Sequence, residues 1–326
     1  MNSSLLLRAP FRAALRCRRL AVIALGGVLL AAPLSAATRV GVLLKGNTAF
    51  WEAVATGCRD AAVPSGAEVI VRAPASESDI AGQIKLLEAL AQENIQALVI
   101  APCSSTALSA PVLAVAARGI KVVVIDSPLD VDVPAYLATN HTDAGDAAGR
   151  LLASLIADRD EVAILRHNRT GGATLLRESS AFSALQAMRQ GLVIRRDVYS
   201  GIPSGQEVAQ ARLLLEKYPA AKGVLASSTP GTMAMLLALE NSGRAGTVKF
   251  VGFGFNLNAV VADALERGAM HGWIAQLPNE IGGRGLRSAL ALINGQPVPE
   301  VSFCDFRVIT KDNLHDPAVQ ALLPKK

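Results

Sequence analysis

The chain has 326 residues, 51% of them hydrophobic, and it carries 32 Lys and Arg against 27 Asp and Glu. The hydrophobic content excludes a disordered chain and is enough for a sizeable core. Five arginines lie within the first 37 residues, so the remainder holds 27 charges of each sign and gives no support for nucleic-acid binding.

The N-terminal segment has the order of a secretory signal peptide. Its arginines precede an uncharged apolar run of 13 residues from Leu20 to Ala32, and Pro33 and Ser35-Ala36-Ala37 follow. A membrane-spanning helix needs about 20 residues, so a retained anchor is the weaker alternative. We therefore expect export, cleavage near Ala37 and a periplasmic location.

The next part of the chain alternates short apolar runs with segments of helical periodicity. The runs are continuous rather than alternating, which is typical of parallel strands buried on both faces. The predicted strands are 40–44, 68–71, 97–100 and 121–125, and the predicted helices are 51–63, 79–92 and 108–118.

The same rhythm begins again near residue 140. Two β/α halves of similar length follow, so the sequence predicts an α/β fold of two doubly wound parallel sheets covered by helices. The predicted strands are 161–165, 193–199, 223–226, 248–253 and 270–275, and the predicted helices are 142–157, 174–190, 207–217, 233–242, 257–267 and 281–293.

Cysteines and histidines give no sign of a metal or cofactor. Cys58, Cys103 and Cys304 remain after the leader, so one disulfide is open to them and at least one thiol stays free. Neither the cysteines nor the four histidines have the spacing of a zinc site. We expect no metal and no cofactor.

Polar and aromatic residues follow most of the predicted strands. Ligands of parallel α/β sheets bind outside the carboxyl ends of the strands, so these residues are the binding candidates. Aromatic faces with carboxylate, guanidinium and amide groups suit a neutral polyhydroxylated ligand, and no nucleophile with its base is recognisable. The binding candidates are Asn47, Phe50, Trp51, Asp126, Ser127, Arg177, Ser227 to Thr229, Gly254 to Asn256 and Gln276.

Seven stretches, in order, carry a family resemblance that covers nearly the whole chain after the leader. They are GVLLKGNTAFWEAVATG, IQALVIAP, GIKVVVIDSP, TNHTDAG, LLRESSAF, VKFVGFGFN and IAQLPNEIGGRG. With these stretches the chain resembles the type I periplasmic binding proteins, in particular the ribose and galactose group of ABC sugar-transport receptors. The resemblance implies two lobes joined by a three-crossing hinge that closes on one ligand.

The resemblance also implies lobe boundaries and site residues. The N-terminal lobe would comprise 38–140 plus 277–303, and the C-terminal lobe 141–276 plus 304–326. Phe50 and Trp51 match rings that stack on sugar, Asp126 a carboxylate that binds hydroxyls, Arg177 a second-lobe arginine, and Gln276 a hinge-side glutamine. The expected ligand-binding set is Asn47, Phe50, Trp51, Asp126, Asn140, Arg177, Ser228, Asn256 and Gln276.

The chain departs from a ribose pocket at four places. Ser127 stands where ribose receptors have arginine, and Gly254 where they have aspartate. Ser228-Thr229 replaces an Asn-Asp pair, and Ile202 replaces an aromatic residue. A buried hydroxyl without its partner costs about 1–3 kcal/mol, so the departures argue against ribose and for another small ligand.

Other roles remain open for the same side chains. Asp126 could cap a turn, Arg177 could be a solvated charge, and Gln276 could tie the crossing strands together. Adjacent helical residues lie about 100° apart, so one of Phe50 and Trp51 is expected in the core.

The sequence leaves three functions open. The leading hypothesis is a monomeric, non-enzymatic solute-binding protein that delivers its ligand to an inner-membrane ABC permease. The alternative is a periplasmic sensor for a membrane histidine kinase or chemoreceptor. An enzyme is disfavoured because Gly252-x-Gly254 lacks the third glycine of a dinucleotide fingerprint.

Overall fold

The computed structural model describes residues 37–201 and 205–323. Apart from Ala37, the segment predicted to be a signal peptide lies outside these residues, and so does Ile202. Within the described ranges, no helix has both the length and the hydrophobicity that crossing a membrane requires.

The first sheet has six strands, all parallel, in the order β11-β5-β4-β3-β1-β2. We call this sheet and the helices packed on it the first lobe. Its strands are β1 (Arg39–Leu43), β2 (Glu68–Arg72), β3 (Ala97–Ile100), β4 (Lys121–Ile125), β5 (Tyr136–Thr139) and β11 (Val301–Cys304). Its helices are α1 (Ala49–Ala62), α2 (Ile80–Leu90), α3 (Ser109–Ala116) and α9 (Pro278–Ile293).

The second sheet has six strands in the order β12-β10-β9-β8-β6-β7, and only β12 runs antiparallel to its neighbour. This sheet and its helices form the second lobe. Its strands are β6 (Glu161–Arg166), β7 (Val193–Tyr199), β8 (Gly223–Ala226), β9 (Lys249–Phe255), β10 (Gly272–Gln276) and β12 (Phe306–Ile309). Its helices are α4 (His141–Ser154), α5 (Gly172–Met188), α6 (Glu207–Lys217), α7 (Thr229–Asn241), α8 (Ala259–Glu266) and α10 (Pro317–Gln320).

The chain crosses between the sheets three times. The crossings follow Thr139 at the end of β5, Gln276 at the end of β10 and Cys304 at the end of β11. The predicted fold class of two doubly wound lobes joined by three crossings is therefore confirmed. In both lobes the first five strands, taken in chain order, are arranged in the same spatial order. The second strand lies on one side of the first strand and the later strands on the other, and this change of direction opens a crevice beside the first strand.

Each sheet is covered by apolar clusters on both faces, and consecutive strand residues, which point to opposite sides, join different clusters. In β4, Val123 and Ile125 join the cluster under α1 and α9, whereas Val122 and Val124 join the cluster under α2 and α3. The second sheet is likewise enclosed by two clusters. This two-sided burial explains why the central strands read as continuous apolar runs.

Helices α1 and α9 approach so closely that glycines are required between them. A Cβ on Gly57 would lie 2.0 Å from the backbone oxygen of Asn279, and a Cβ on Gly282 would lie 2.0 Å from that of Val54. Because backbone atoms would have to move, any side chain here forces the helices apart. The contact secures α9, which follows a crossing, to the first lobe.

The sequence-based elements agree with the structure in the central strands and longer helices. Three short strands, β5, β11 and β12, were not predicted. Each contains a polar residue that interrupts or ends the apolar run, namely Thr139, Ser302 and Arg307, and β11 is an edge strand with Val301 and Phe303 half exposed.

The three cysteines are free thiols in the described chain. Cys58, Cys103 and Cys304 are all buried, and burial raises the pKa of each to about 12. The disulfide that the sequence left open is therefore not formed among them.

We predict that Gly282→Ala lowers the free energy of unfolding by about 1–3 kcal/mol, because its methyl group would overlap a backbone carbonyl in α1. Ser288→Ala on the same helix is half-buried and serves as control, with an expected change of under about 0.5 kcal/mol. Urea denaturation measures both. Unchanged stability of the glycine variant would mean that the helices separate without cost.

Candidate functional site

A cavity of about 260 Å³ is lined by both lobes at the carboxyl ends of their strands. The crevice opened by the two strand orders is where ligands of open α/β sheets bind. The first lobe contributes Lys45, Thr48, Ala49, Phe50, Trp51, Glu77 and Asp126. The second lobe contributes His167, Gly171, Ala173, Thr174, Arg177, Ser228, Thr229, Pro230, Phe255 and Gln276.

The positions of these residues follow from the topology. In the first lobe, Lys45 comes two residues after β1 and Asp126 directly after β4. In the second lobe, His167 directly follows β6, and Gln276 is the last residue of β10. Each lobe therefore presents its strand ends to the same space.

A buried ion pair lies at the first-lobe side of the cavity. Lys45 Nζ donates to Asp126 Oδ2 at 2.7 Å, and both side chains are 4% exposed. The same ammonium donates to Ser127 Oγ at 2.5 Å. Burial alone would raise the pKa of Asp126, but the charges of Lys45 and Arg177 outweigh it and lower that pKa to about 2.

The backbone of Asp126 adopts an uncommon conformation, with φ at +64°. Its N–H donates to the Leu137 oxygen at 3.0 Å, and its carbonyl accepts from Tyr136 Oη at 3.0 Å and from His141 Nε2 at 2.9 Å. These bonds hold the left-handed conformation. Backbone strain of this kind is concentrated at ligand sites.

A second network connects the hinge to the second lobe. His141 Nδ1 accepts from Arg177 Nε at 3.2 Å, so its Nε2 carries the proton donated to Asp126. Arg177 also donates to Gln276 Oε1 at 2.5 Å and to the Ser227 oxygen at 3.1 Å. Burial and the Arg177 charge lower the pKa of His141 to about 3, so the imidazole is neutral at pH 7.

Three aromatic rings line the cavity from both lobes. Phe50 meets Trp51 edge to face at a centroid distance of 4.8 Å and meets Phe255 of the second lobe at 5.5 Å. Trp51 is 2% exposed and contributes to the core under α1, whereas Phe50 is only partly buried. Such rings cover the C–H faces of a sugar.

Glu77 and His167 complete the polar lining. Glu77 accepts from Trp51 Nε1 at 2.8 Å, and its other oxygen lies 3.3 Å from His167 Nε2. Burial would raise the pKa of Glu77, but the His167 contact, Lys45 and Trp51 lower it to about 2. The carboxylate is therefore ionised.

Six of the nine residues expected from the sequence lie together around the cavity, namely Phe50, Trp51, Asp126, Arg177, Ser228 and Gln276. Three do not. Asn47 is exposed beside a smaller cavity, Asn140 caps α4 through the Asp143 N–H, and the Asn256 carbonyl accepts from Trp273 Nε1 at 2.7 Å. All three residues lie close in sequence to a strand end or a helix start, but that position alone does not place a side chain in the cavity.

Among the lining residues that the sequence did not indicate, three carry ionisable side chains: Lys45, Glu77 and His167. Lys45 and His167 do follow strands, so the strand-end rule could have found them. Glu77 lies in the loop between β2 and α2, and no local signal marks it.

Two departures from a ribose pocket now have structural explanations. Ser127 Oγ is occupied by Lys45 and accepts from the Ala173 N–H of the second lobe at 3.1 Å. A Cβ on Gly254 would lie 1.8 Å from the Trp273 ring, so no side chain fits there. Residues 37–201 and 205–323 also contain no group of His, Cys, Asp and Glu arranged to hold a metal ion.

Comparison with known proteins identifies relatives over most of the chain. The family model described as a periplasmic binding protein domain matches residues 40–297. A D-allose-binding periplasmic protein of Escherichia coli is 28% identical over 295 residues, covering 87% of this chain and 94% of the relative. A ribose import binding protein of Bacillus subtilis is 24% identical, covering 81% of this chain and 84% of the relative.

Solved structures are similar along the same length. A carbohydrate transporter solute-binding protein of Agrobacterium radiobacter in complex with D-arabinose has a TM-score of 0.82 and 26% identity, covering 89% of this chain and 100% of that one. An ABC transporter solute-binding protein of Agrobacterium vitis with bound D-fucose has a TM-score of 0.81 and 25% identity, covering 88% and 100%.

We predict that Lys45→Met lowers the free energy of unfolding at pH 7 by about 3–5 kcal/mol, because it leaves the buried Asp126 carboxylate without its ion-pair partner. The double variant Lys45→Met/Asp126→Asn should recover most of this loss. Lys217→Met is the control, since its pair with Asp197 is about half exposed and its loss should leave the stability nearly unchanged. Equal losses in the single and double variants, measured by urea denaturation, would contradict the prediction.

We predict that His141 makes the protein less stable in acid. The unfolded chain binds a proton near pH 6.5 and the folded chain only near pH 3, so stability falls as the pH decreases between these values. From this group alone, the free energy of unfolding should be about 2 kcal/mol lower at pH 5 than at pH 7. His141→Gln should reduce the slope of the profile in urea titrations from pH 7 to 5. His271, whose pKa burial and Lys249 lower to about 4, accounts for the slope that remains. An identical profile would contradict the assignment.

Proposed function

The chain belongs to the periplasmic binding protein family, and we propose that it is an exported solute-binding protein that captures one small sugar between its lobes for an ABC importer. The observation that carries the proposal is the cavity itself. It is lined from both lobes, at the carboxyl ends of parallel strands, by aromatic rings and by buried charged and amide groups.

The lining favours a neutral ligand. The cations Lys45 and Arg177 are balanced by the carboxylates Asp126 and Glu77, so an ionic ligand would leave a buried charge uncompensated. Asp126 engages Lys45 through Oδ2, and its Oδ1, which lies 3.7 Å from His141 Nε2, would accept from a ligand hydroxyl. A charge-assisted bond of this type is stronger than one between neutral groups.

The size of the cavity supports a monosaccharide. About 260 Å³ lies just below the roughly 300 Å³ at which pockets for drug-sized ligands begin. Relatives are named for D-allose and ribose, and solved neighbours hold D-arabinose and D-fucose. Because Ser127 is engaged by its neighbours and Gly254 faces Trp273, we expect ribose to bind more weakly than a six-carbon sugar.

The proposed mechanism is closure of the lobes around the ligand. A ligand that contacts both lobes binds the closed form more tightly and shifts the population towards it. The proposed rigid bodies are 38–140 plus 277–303 and 141–276 plus 304–326. The three crossings after Thr139, Gln276 and Cys304 would act as the hinge.

The family supports a periplasmic location. We propose a periplasmic, monomeric protein, released by cleavage near Ala37, whose closed form is recognised by an inner-membrane permease. Relatives named as import proteins favour transport over the sensor alternative. The protein would bind its ligand without altering it, as expected of a family made of substrate-binding transport proteins.

The proposal predicts saturable binding of a monosaccharide by the mature protein. Isothermal titration calorimetry with D-allose, D-fucose, D-tagatose, D-arabinose, D-ribose and xylitol tests it. We expect at least one six-carbon sugar to bind at micromolar concentration or below, with ribose weaker. An absence of heat with every member of the panel would overturn the sugar assignment.

The same titration with Phe255→Ala tests the cavity as the binding site. Loss of this second-lobe ring should weaken binding by about tenfold, which corresponds to about 1.4 kcal/mol. Phe303→Ala is the matched control, because Phe303 is 47% exposed on the edge strand β11 and does not line the cavity. Equal effects of the two substitutions would place the sugar elsewhere.

A further inference from the structure

Glu77 and His167 face each other across the cleft. Glu77 belongs to the loop between β2 and α2 of the first lobe, and His167 directly follows β6 of the second. Glu77 Oε2 lies 3.3 Å from His167 Nε2, with the side chains 25% and 9% exposed. Because the two side chains come from different lobes, their contact depends on the lobes being closed.

The other oxygen of Glu77 holds a cavity ring. Trp51 Nε1 donates to Glu77 Oε1 at 2.8 Å, and the Trp51 ring centroid lies 5.5 Å from the Lys45 ammonium. One carboxylate therefore joins an indole that lines the ligand cavity to a side chain of the opposite lobe. Breaking the contact between Glu77 and His167 would therefore change the hydrogen-bonded environment of the Trp51 indole.

Hydrogen bonds within the second lobe position His167 for this contact. Its backbone N–H donates to Glu178 Oε1 at 3.1 Å, and its carbonyl accepts from the Gly201 N–H at 2.9 Å. In the described part of the chain, its buried Nδ1 has no hydrogen-bond partner. The contact with Glu77 is thus the polar interaction that its side chain makes.

We propose that Glu77 and His167 form an interlobe latch, which stabilises the closed cleft, orients Trp51 and slows ligand release. The inference rests on the proposed function, since it assigns positioning residues to the same cavity. Opening separates the pair and exposes both groups to water. The contact therefore acts mainly on the dissociation rate and leaves the association rate nearly unchanged.

The kinetic test measures D-allose dissociation by stopped-flow fluorescence. Glu77→Ala and His167→Ala should each raise the dissociation rate about tenfold, with the association rate changed less than twofold. The double variant should match Glu77→Ala, because that substitution already removes the contact with His167. Multiplied single effects, or a change confined to the association rate, would overturn the latch.

Two matched controls exclude a general effect of the substitutions. Glu52 is adjacent to Trp51 in sequence, but it pairs with Arg59 on its own helix. His315 pairs with Glu266 of the same lobe and is 77% exposed. Glu52→Ala and His315→Ala should leave the dissociation rate unchanged, and a tenfold effect in either would contradict the proposal.

A spectroscopic test separates the latch from the sugar assignment. The chain has two tryptophans, Trp51 and Trp273, so 5-fluorotryptophan gives two fluorine resonances that Trp51→Phe assigns. His167→Ala should move the Trp51 resonance through Glu77, while the buried Trp273 resonance stays in place. The spectrum is recorded with and without D-allose.

The outcomes distinguish the two proposals. If D-allose and the rest of the panel fail to bind but His167→Ala still moves the Trp51 resonance, the sugar assignment fails and the latch stands. If D-allose binds and neither the Trp51 resonance nor the dissociation rate responds, the latch fails and the proposed function stands.

Discussion

The buried contact between Lys45 and Asp126 is the interaction on which the rest of the site depends. It keeps a carboxylate ionised inside the protein, where burial alone would favour protonation. The backbone carbonyl of the same aspartate accepts from His141, the first residue after the first crossing, and His141 accepts from Arg177. One residue at the end of β4 therefore connects the cavity, the hinge and the second lobe.

Topology explains why so few residues can build this site. Both sheets use the same order for their first five strands, and both present their carboxyl ends to one space. A short segment after each strand is then enough to line a cavity. The glycine-dependent packing of α9 on α1 stabilises the helix that carries Phe50 and Trp51 of the cavity lining.

Packing also decides which polar groups the cavity lacks. Trp273 fills the space beside Gly254, and Ser127 is engaged by Lys45 and by the second lobe. Two of the four differences from a ribose pocket are thus explained by neighbouring side chains. The ligand meets a lining whose charges are already paired, and this arrangement favours a neutral molecule over an ionic one.

The sequence by itself determined the fold class, because two-sided burial and helix periodicity leave their marks in local patterns, as in 121–125 and the helix after residue 140. It also indicated Asp126, Arg177 and Gln276, through strand ends and a family resemblance. Only the tertiary structure decided that Asn47, Asn140 and Asn256 lie outside the cavity and that Glu77 meets His167. Glu77 and His167 are 90 positions apart in sequence, and their contact depends on how the two lobes close. No local periodicity encodes a contact over that sequence separation. The strands β5, β11 and β12 escaped prediction for a related reason, since their short runs are interrupted or ended by a polar residue and take their register from neighbours that are distant in sequence.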